Sequence, residues 1–362
     1  MKKLFTTESV SIGHPDKIAD SISDFVLTCY LREDWNAKVA CETLVTKNKI
    51  VLAGEINSKI KVKNLEQHIL NFVKGIGYDY KGSGFETKNI EIINLLHEQS
   101  NDIFIGVDTG GAGDQGMMFG FACNDNDSYL PNQLCYTHDI LKELRTKVNC
   151  GYLLPDAKSQ ITMEYDEDNK PIHIDTILVS QQNSGFLYGK ALEQYIKING
   201  IFPVLGNNKL FDDKTKILIN PTGKFVIGGP NGDTGLTGRK IIVDTYSGFG
   251  YHGGGAFSGK DPSKVDRSGA YMARWLAKNI VYKGYCNSCN VQLAYAIGVA
   301  QPVSINVTDK NGKQIDEAIK FCKTIDLTPN GIIKKFSLDN IDYTKYCNYS
   351  HFYHKTAPWE II

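Results

Sequence analysis

A glycine-rich segment followed by charged side chains, residues 253–266, constrains this chain more than any other feature. Its three consecutive glycines carry no side chains and tolerate positive φ, so backbone N–H groups can approach a ligand closely. Lys260 and Lys264 follow, and Asp266 lies two residues further on. A flexible loop rich in N–H groups, beside cations and a carboxylate, suits a polyphosphate that carries Mg²⁺.

The same segment matches part of a P-loop pattern, because four residues separate Gly254 from Gly259-Lys260. A P-loop also needs Ser or Thr directly after the lysine and a buried strand before the glycines. Here Asp261 follows Lys260, and residues 246–252 are rich in glycine and aromatic side chains. The sequence therefore favours phosphate chemistry but not the P-loop fold.

Composition narrows the class of protein. A chain of 362 residues is long enough for two or three domains, and the equal counts of basic and acidic residues, 40 each, favour neither nucleic acid nor an anionic membrane as partner. The first residues lack the apolar run of a signal peptide, and no segment approaches the ~20 apolar residues of a membrane span. Of the nine cysteines only Cys286 and Cys289 are close in sequence, with no second pair to complete a zinc site. We expect reduced, structural thiols in a cytosolic protein.

A recurring pattern of hairpin and helix predicts the fold. Residues 16–31 show a first helical period, with the apolar positions on one face and Ser21, Ser23, Asp24 and Thr28 mostly off it. Three similar units follow this helix. Each unit is a β-hairpin and then a helix: residues 39–56 and 62–76, residues 161–180 and 188–198, and residues 291–307 and 316–324. The pattern predicts three α+β units, and strands that are apolar on both faces favour an oligomer. Residues 100–115, rich in Gly and Asp, read as a loop that could cover a ligand.

Isolated charged residues interrupt several of these elements. Glu42 and Glu55 lie in otherwise apolar strands, where they are either solvent-facing or functional. Asp16, next to His14, reads equally as a helix N-cap or as a site residue. The segments around Asp156 and Asp233 look like surface turns when taken singly, but cations and glycines cluster between residues 220 and 267.

The chain resembles the methionine adenosyltransferases, also called S-adenosylmethionine synthetases. The motifs that carry the resemblance occur in the family's order from about Leu4 to Trp359: residues 13–17, 111–116, 155–160, 220–223, 239–246 and 253–261. The resemblance implies that methionine sulfur attacks C5′ of ATP and displaces the triphosphate, which is then hydrolysed to phosphate and diphosphate. A thioether carries no proton, so this attack needs no general base, and fixed cations and Mg²⁺ would stabilise the leaving group.

The resemblance also implies site residues, two Mg²⁺ ions and K⁺. The catalytic residues would be His14, Lys158, Arg239, Lys240 and Lys260. ATP would bind to these and to Asp156, Lys224, Phe225, Asp233 and Ala256, and methionine to Glu55, Gln99, Asp114, Asp233 and Lys264. Asp16 and Asp266 would hold Mg²⁺, and Glu42 would help to bind K⁺.

The family fold implies three similar α+β domains around a pseudo-threefold axis, each a β-sheet packed with helices. The expected domains are discontinuous: residues 1–10 and 125–226, residues 11–100 and 227–268, and residues 101–124 and 269–362. Active sites would be shared between the subunits of a homodimer or homotetramer.

The chain departs from the family in two places, and two other functions are weighed against the enzyme. The stretch 102–111 is shorter than is typical, and residues 350–353 match the family's tail motif poorly. A non-catalytic regulatory subunit is disfavoured because the charged residues listed above are present, and a kinase-type transferase fits less well.

Overall fold

The computed structural model describes residues 3–98, 110–167 and 169–362. The strands in chain order are β1 (Lys3–Val10), β2 (Lys38–Thr46), β3 (Lys49–Asn57), β4 (Glu91–Glu98), β5 (Gly116–Cys123), β6 (Leu153–Tyr165), β7 (Pro171–Asn183), β8 (Lys216–Ile219), β9 (Gly235–Leu236), β10 (Ser288–Tyr295) and β11 (Ser304–Asp309). The helices are α1 (Pro15–Glu33), α2 (Leu65–Lys74), α3 (Asn132–Arg145), α4 (Gly189–Ile196), α5 (Phe202–Leu205), α6 (Val265–Tyr282), α7 (Asp316–Cys322) and α8 (Pro329–Phe336).

The described strands form three sheets with orders β1-β6-β7-β8, β11-β10-β5 and β4-β3-β2-β9. The three predicted hairpins are confirmed as the antiparallel pairs β2–β3, β6–β7 and β10–β11. One or two helices cover one face of each sheet: α1 packs on β2 and β9, α3 on β1 and β6, and α6 on β5 and β10. The predicted α+β class is therefore confirmed, whereas the domain boundaries given above stay a prediction.

Helix α1 is buried around almost its whole circumference. It starts at Pro15, with His14 as N-cap, and Ile18, Ile22 and Val26 form its apolar face. The residues off that face, Ser21, Ser23, Asp24 and Thr28, are buried as well. Other parts of the chain pack on both sides of α1, so its polar face is as enclosed as its apolar one.

No helix of the described residues packs on one face of the β4-β3-β2-β9 sheet, and much of that face is apolar. The strand registers align Leu236, Leu44, Val51 and Ile93 in one row across this face. The next row contains Leu95, whose side chain is 57% exposed. An open apolar sheet face of this kind typically marks a contact surface.

The C-terminal segment packs into the core despite its atypical sequence. The Trp359 ring stacks on Tyr271 of α6 at 3.7 Å between centroids. Ser350 has a φ of +68°, and its hydroxyl lies 3.1 Å from the Asp244 carbonyl oxygen. This serine thus anchors the segment to residues near Lys240.

All nine cysteines are free thiols. Among the described residues, no helix is both long and apolar enough to cross a membrane.

Candidate active site

Three aspartates spaced four residues apart on α1 hold the surrounding backbone. Asp16 Oδ1 accepts a hydrogen bond from the Leu236 N–H at 3.0 Å, and Asp20 Oδ1 accepts one from the Gly238 N–H at 2.9 Å. Asp24 Oδ1 accepts from the Gly259 N–H at 2.9 Å. Residues four apart lie on one helix face, so a single helix positions both the segment that leads to Lys240 and the glycine loop.

The first group of predicted site residues surrounds Asp16. The Lys240 ammonium lies 2.6 Å from Asp16 Oδ2, and Arg239 Nε lies 3.8 Å from Oδ1. Burial on its own would raise the pKa of Asp16, but hydrogen bonds from Lys240 and the Leu236 N–H outweigh it and lower the pKa. Asp16 is therefore an anion at neutral pH, suited to binding a cation.

His14 supplies a neutral N–H donor beside this group. Burial, together with the charges of Lys240 and Lys158, lowers the pKa of His14 from 6.5 to about 3. Its Nδ1 atom accepts from the Asp16 N–H at 3.2 Å. The imidazole is thus neutral near pH 7 with its proton on Nε2, where it can donate to a phosphate oxygen.

Asp156 lies in β6, two residues before the exposed Lys158. Its Oδ2 atom accepts from the Gly229 N–H at 2.9 Å, and burial raises its pKa to about 6. The Asp156 Oδ1 atom is buried and has no hydrogen-bond partner among the described residues, which marks it as a free acceptor.

The loop after β8 lies next to β7. The Phe225 carbonyl accepts from the Asn183 N–H at 2.9 Å, and the Lys224 side chain is exposed. Asp233 is exposed four residues after Gly229. These three predicted ATP-binding residues thus lie on the segment that also carries the Gly229 N–H bound to Asp156.

The second group is the glycine loop, held against β2. Gly259 has a φ of +81°, and a Cβ atom there would lie 1.9 Å from the Cys41 carbonyl oxygen, so only glycine fits. The Arg267 guanidinium lies 2.7 Å from both carboxylate oxygens of Asp24 and also donates to the Lys260 carbonyl at 2.9 Å. A fully buried ion pair therefore fixes the backbone that carries Lys260.

At the surface of this loop the Lys260 ammonium pairs with the Asp266 carboxylate. Asp266 also lies against the glycines, because a Cβ atom on Gly255 would approach its Oδ1 to 2.3 Å. Ala256 connects the two groups, since a Cβ atom on Gly238 would come within 2.8 Å of its Cβ. The loop thus borders the segment that carries Arg239 and Lys240.

The predicted methionine-binding residues lie on separate segments of the chain. Glu55 lies on the open sheet face, 3.8 Å from His97, whereas the Lys264 ammonium pairs with the buried Asp261. Asp114 is exposed in the loop before β5, and Gln99 lies outside the described residues.

The predicted potassium ligand, Glu42, is exposed on the open face. Burial raises its pKa, opposed by the charge of Lys260. No group of three or more His, Cys, Asp or Glu side chains that could hold a metal occurs in the described parts of the chain.

A buried network that the sequence analysis missed supports both groups. Lys17 lies 2.9 Å from Asp20 Oδ2 and also pairs with Asp244, and its pKa is raised because these carboxylates outweigh the effect of burial. Asp24 and Arg267 complete the network. The sequence did contain one indication of this network, the aspartates at every fourth position from Asp16. A search for apolar periodicity does not detect a repeat of polar residues.

Comparison with known proteins gives a consistent result over the whole chain. Three family models match it: the N-terminal domain of S-adenosylmethionine synthetase over residues 2–101, the central domain over 109–225 and the C-terminal domain over 227–361. S-adenosylmethionine synthases from two strains of Staphylococcus epidermidis are 47% identical over 384 aligned residues, covering 99% of this chain and 95% of theirs. A solved structure described as an unusual S-adenosylmethionine synthetase from Campylobacter jejuni is 39% identical, has a TM-score of 0.92, and aligns over 99% of this chain and 96% of its own.

Proposed function

Because the chain belongs to the S-adenosylmethionine synthetase family and is a methionine adenosyltransferase, we propose that the two groups around Asp16 and Lys260 bind the triphosphate of ATP. The enzyme makes S-adenosylmethionine from ATP and methionine, so it must stabilise a leaving triphosphate. The observation that carries the proposal is the pairing of each predicted metal carboxylate with a predicted phosphate lysine, Asp16 with Lys240 and Asp266 with Lys260. A triphosphate with its metal ions can replace each of these ion pairs, because the phosphate oxygens attract the lysine ammonium and the metal ion attracts the aspartate carboxylate.

The side chains support distinct roles in this reaction. In the proposed arrangement His14 donates its Nε2–H to an oxygen of the triphosphate near the bond to C5′. Lys158, Arg239, Lys240 and Lys260 supply fixed positive charge where negative charge grows as that bond breaks. Asp156 would accept a hydrogen bond from the ribose through its free oxygen, and the Phe225 ring would stack on adenine.

The methionine substrate needs both signs of charge. We assign its ammonium to Glu55, Asp114 and Asp233, and its carboxylate to Lys264, with Gln99 contributing from outside the described residues. A carboxylate opposite an ammonium and an ammonium opposite a carboxylate form charge-assisted hydrogen bonds.

The family uses metal ions, and the residues here fit Mg²⁺ and K⁺. Mg²⁺ in proteins is commonly held by one or two carboxylates together with substrate phosphates, which matches the isolated Asp16 and Asp266. Bound Mg²⁺ would neutralise charge on the triphosphate. For K⁺, Glu42 offers a carboxylate next to Cys41. The Cys41 N–H donates to the carbonyl of Gly259, the residue after Ser258. The Ser258 hydroxyl is buried and has no hydrogen-bond partner among the described residues.

We further propose a homodimer or homotetramer whose active sites are shared between subunits. The open face of the β4-β3-β2-β9 sheet supports this, because its apolar rows would be covered by a second copy. The same face carries Glu42 and Glu55, so a neighbouring subunit seated there would approach residues assigned to the site. The discontinuous domains given above are part of this proposal.

Product analysis tests the proposed chemistry. With ATP, methionine, Mg²⁺ and K⁺, we expect S-adenosylmethionine together with equal amounts of phosphate and diphosphate, quantified by chromatography and phosphorus NMR. Removal of divalent ions with EDTA should abolish turnover and added Mg²⁺ should restore it, because the triphosphate would otherwise remain uncompensated. Formation of ADP that depends on an acceptor, or turnover that persists in EDTA, would contradict the proposal.

The assembly is tested by placing a charge on the open sheet face. We expect Leu95→Lys to shift the protein towards monomer in multi-angle light scattering and to reduce activity, because an unpaired ammonium is costly to bury in an interface. Leu4→Lys is the matched control, since Leu4 is 49% exposed but lies on β1 in a different sheet. An active parent enzyme that is monomeric at every concentration would rule out the shared site.

A further inference from the structure

The three consecutive glycines of the phosphate loop have different surroundings. A Cβ atom on Gly253 would lie 1.7 Å from the Met117 carbonyl oxygen, and one on Gly255 would meet Asp266. Both positions are therefore closely packed, Gly253 against the backbone of Met117 and Gly255 against the side chain of Asp266. Gly254, in contrast, has a φ of +92°, and no atom of the described residues lies within 4 Å of a Cβ position there. Packing alone does not fix its orientation.

The side chain of His252 provides a contact that can fix the orientation of Gly254. Its Nδ1 atom accepts a hydrogen bond from the Gly254 N–H at 2.8 Å. A side-chain acceptor that bonds to the N–H two residues later is the arrangement of an Asx turn, which Asn and Asp usually form. The His252 ring is half-buried and stacks on Phe257, with 6.5 Å between centroids. The imidazole is thus held at one end by the loop itself.

The hydrogen bond requires a neutral ring, because an imidazolium cannot accept at Nδ1. Burial lowers the pKa of His252, although the charge of Asp266 acts in the opposite direction. At neutral pH the ring is therefore neutral, with Nδ1 as acceptor and its proton on Nε2.

The backbone that follows Gly254 carries N–H groups without a partner among the described residues. The N–H groups of residues 255–258 donate to no acceptor in the described parts of the chain. Successive N–H groups without an acceptor are candidate donors to an anion. Lys260 and Asp266 border the same loop.

We propose that His252 is a positioning residue of the phosphate loop: its Nδ1 takes up the Gly254 N–H and so sets the loop in the form that offers the next N–H groups to the triphosphate. The inference rests on the proposed function, because it assumes that residues 253–260 bind the triphosphate. His252 itself is not required to touch the substrate.

Three substitutions separate positioning from direct contact. Asn places its Oδ1 close to the Nδ1 position, Gln reaches towards the Nε2 position, and Leu offers neither group. We measure the affinity of each variant for inorganic tripolyphosphate with Mg²⁺ by calorimetry, KM and kcat with ATP, and thermal melting. Because one hydrogen bond is lost, we expect His252→Leu and His252→Gln to weaken tripolyphosphate binding and raise KM for ATP about tenfold, with melting unchanged. His252→Asn should recover most of the affinity.

The opposite pattern overturns the inference. If Gln restores binding and Asn does not, His252 contacts the ligand through Nε2. If Leu binds tripolyphosphate as the parent does, the loop does not need the contact. Lys260→Met serves as the reference: when it weakens tripolyphosphate binding and His252→Leu does not, the inference fails while the proposed phosphate site stands. When both variants bind normally, the proposed phosphate site fails.

Discussion

Replacing Lys260 with methionine is expected to lower kcat about a hundredfold. Methionine keeps the length and the apolar stem but removes the charge that would face the triphosphate as the C5′–O bond breaks. Loss of one such electrostatic contact typically costs ~3 kcal/mol of transition-state stabilisation. The affinity for methionine should change far less, because other residues are assigned to that substrate. Steady-state kinetics with both substrates, run beside a thermal melt, measures the effect.

The fold should survive this change, because Lys260 is partly exposed in a loop and its pair with Asp266 lies at the surface. Lys47→Met is a matched control, since Lys47 is an exposed lysine in the β2–β3 turn. A near-normal turnover number for Lys260→Met at saturating ATP would remove this lysine from the mechanism and count against the loop as the phosphate site.

Replacing Asp24 with leucine is expected to cause the largest loss of stability. Asp24 and Arg267 both have fully buried side chains, so leucine leaves the Arg267 guanidinium without its carboxylate. Breaking a buried pair in this way typically costs ~3–5 kcal/mol in the free energy of unfolding. The Gly259 N–H loses its acceptor at the same time, so turnover should fall as well. Urea denaturation and activity assays on the same samples measure both effects.

An exposed ion pair supplies the control for this prediction. Arg32 and Asp342 are 3.0 Å apart, but the Arg32 side chain is 61% exposed, so Arg32→Ala should cost no more than ~1 kcal/mol. The double variant Asp24→Leu/Arg267→Met should regain part of the lost stability, because no unpaired charge remains. If Asp24→Leu shifts the urea midpoint no more than Arg32→Ala does, the buried pair does not hold the loop.

Local patterns in the sequence were sufficient for much of the fold. Each hairpin is encoded by neighbouring residues, such as Lys47 and Asn48 between β2 and β3, and the structure has them where they were predicted. The parallel pairs β3–β4 and β7–β8 could not be predicted, because their registers depend on segments far apart in sequence. The two-residue strand β9 carries no periodic signal at all.

The candidate site likewise contains residues that local sequence patterns predict and residues that only long-range contacts define. Residues in glycine-rich motifs, such as Lys260 and Lys240, could be identified because a loop that binds phosphate has a recognisable composition. Lys17 and Asp244 could not, because their function depends on a contact across 227 positions of sequence that no local pattern reveals. The burial of Asp24 follows from what packs against α1, and nothing within residues 15–33 specifies it.

The spacing of the aspartates on α1 restricts where the chain can accept inserted or deleted residues. Two helical turns, about 12 Å, separate Asp16 from Asp24, and this interval sets the spacing between the two lysine-bearing segments. One residue inserted between these aspartates would turn the later one by about 100° away from the glycine loop. Natural insertions and deletions in this enzyme family should therefore be absent between positions 16 and 24.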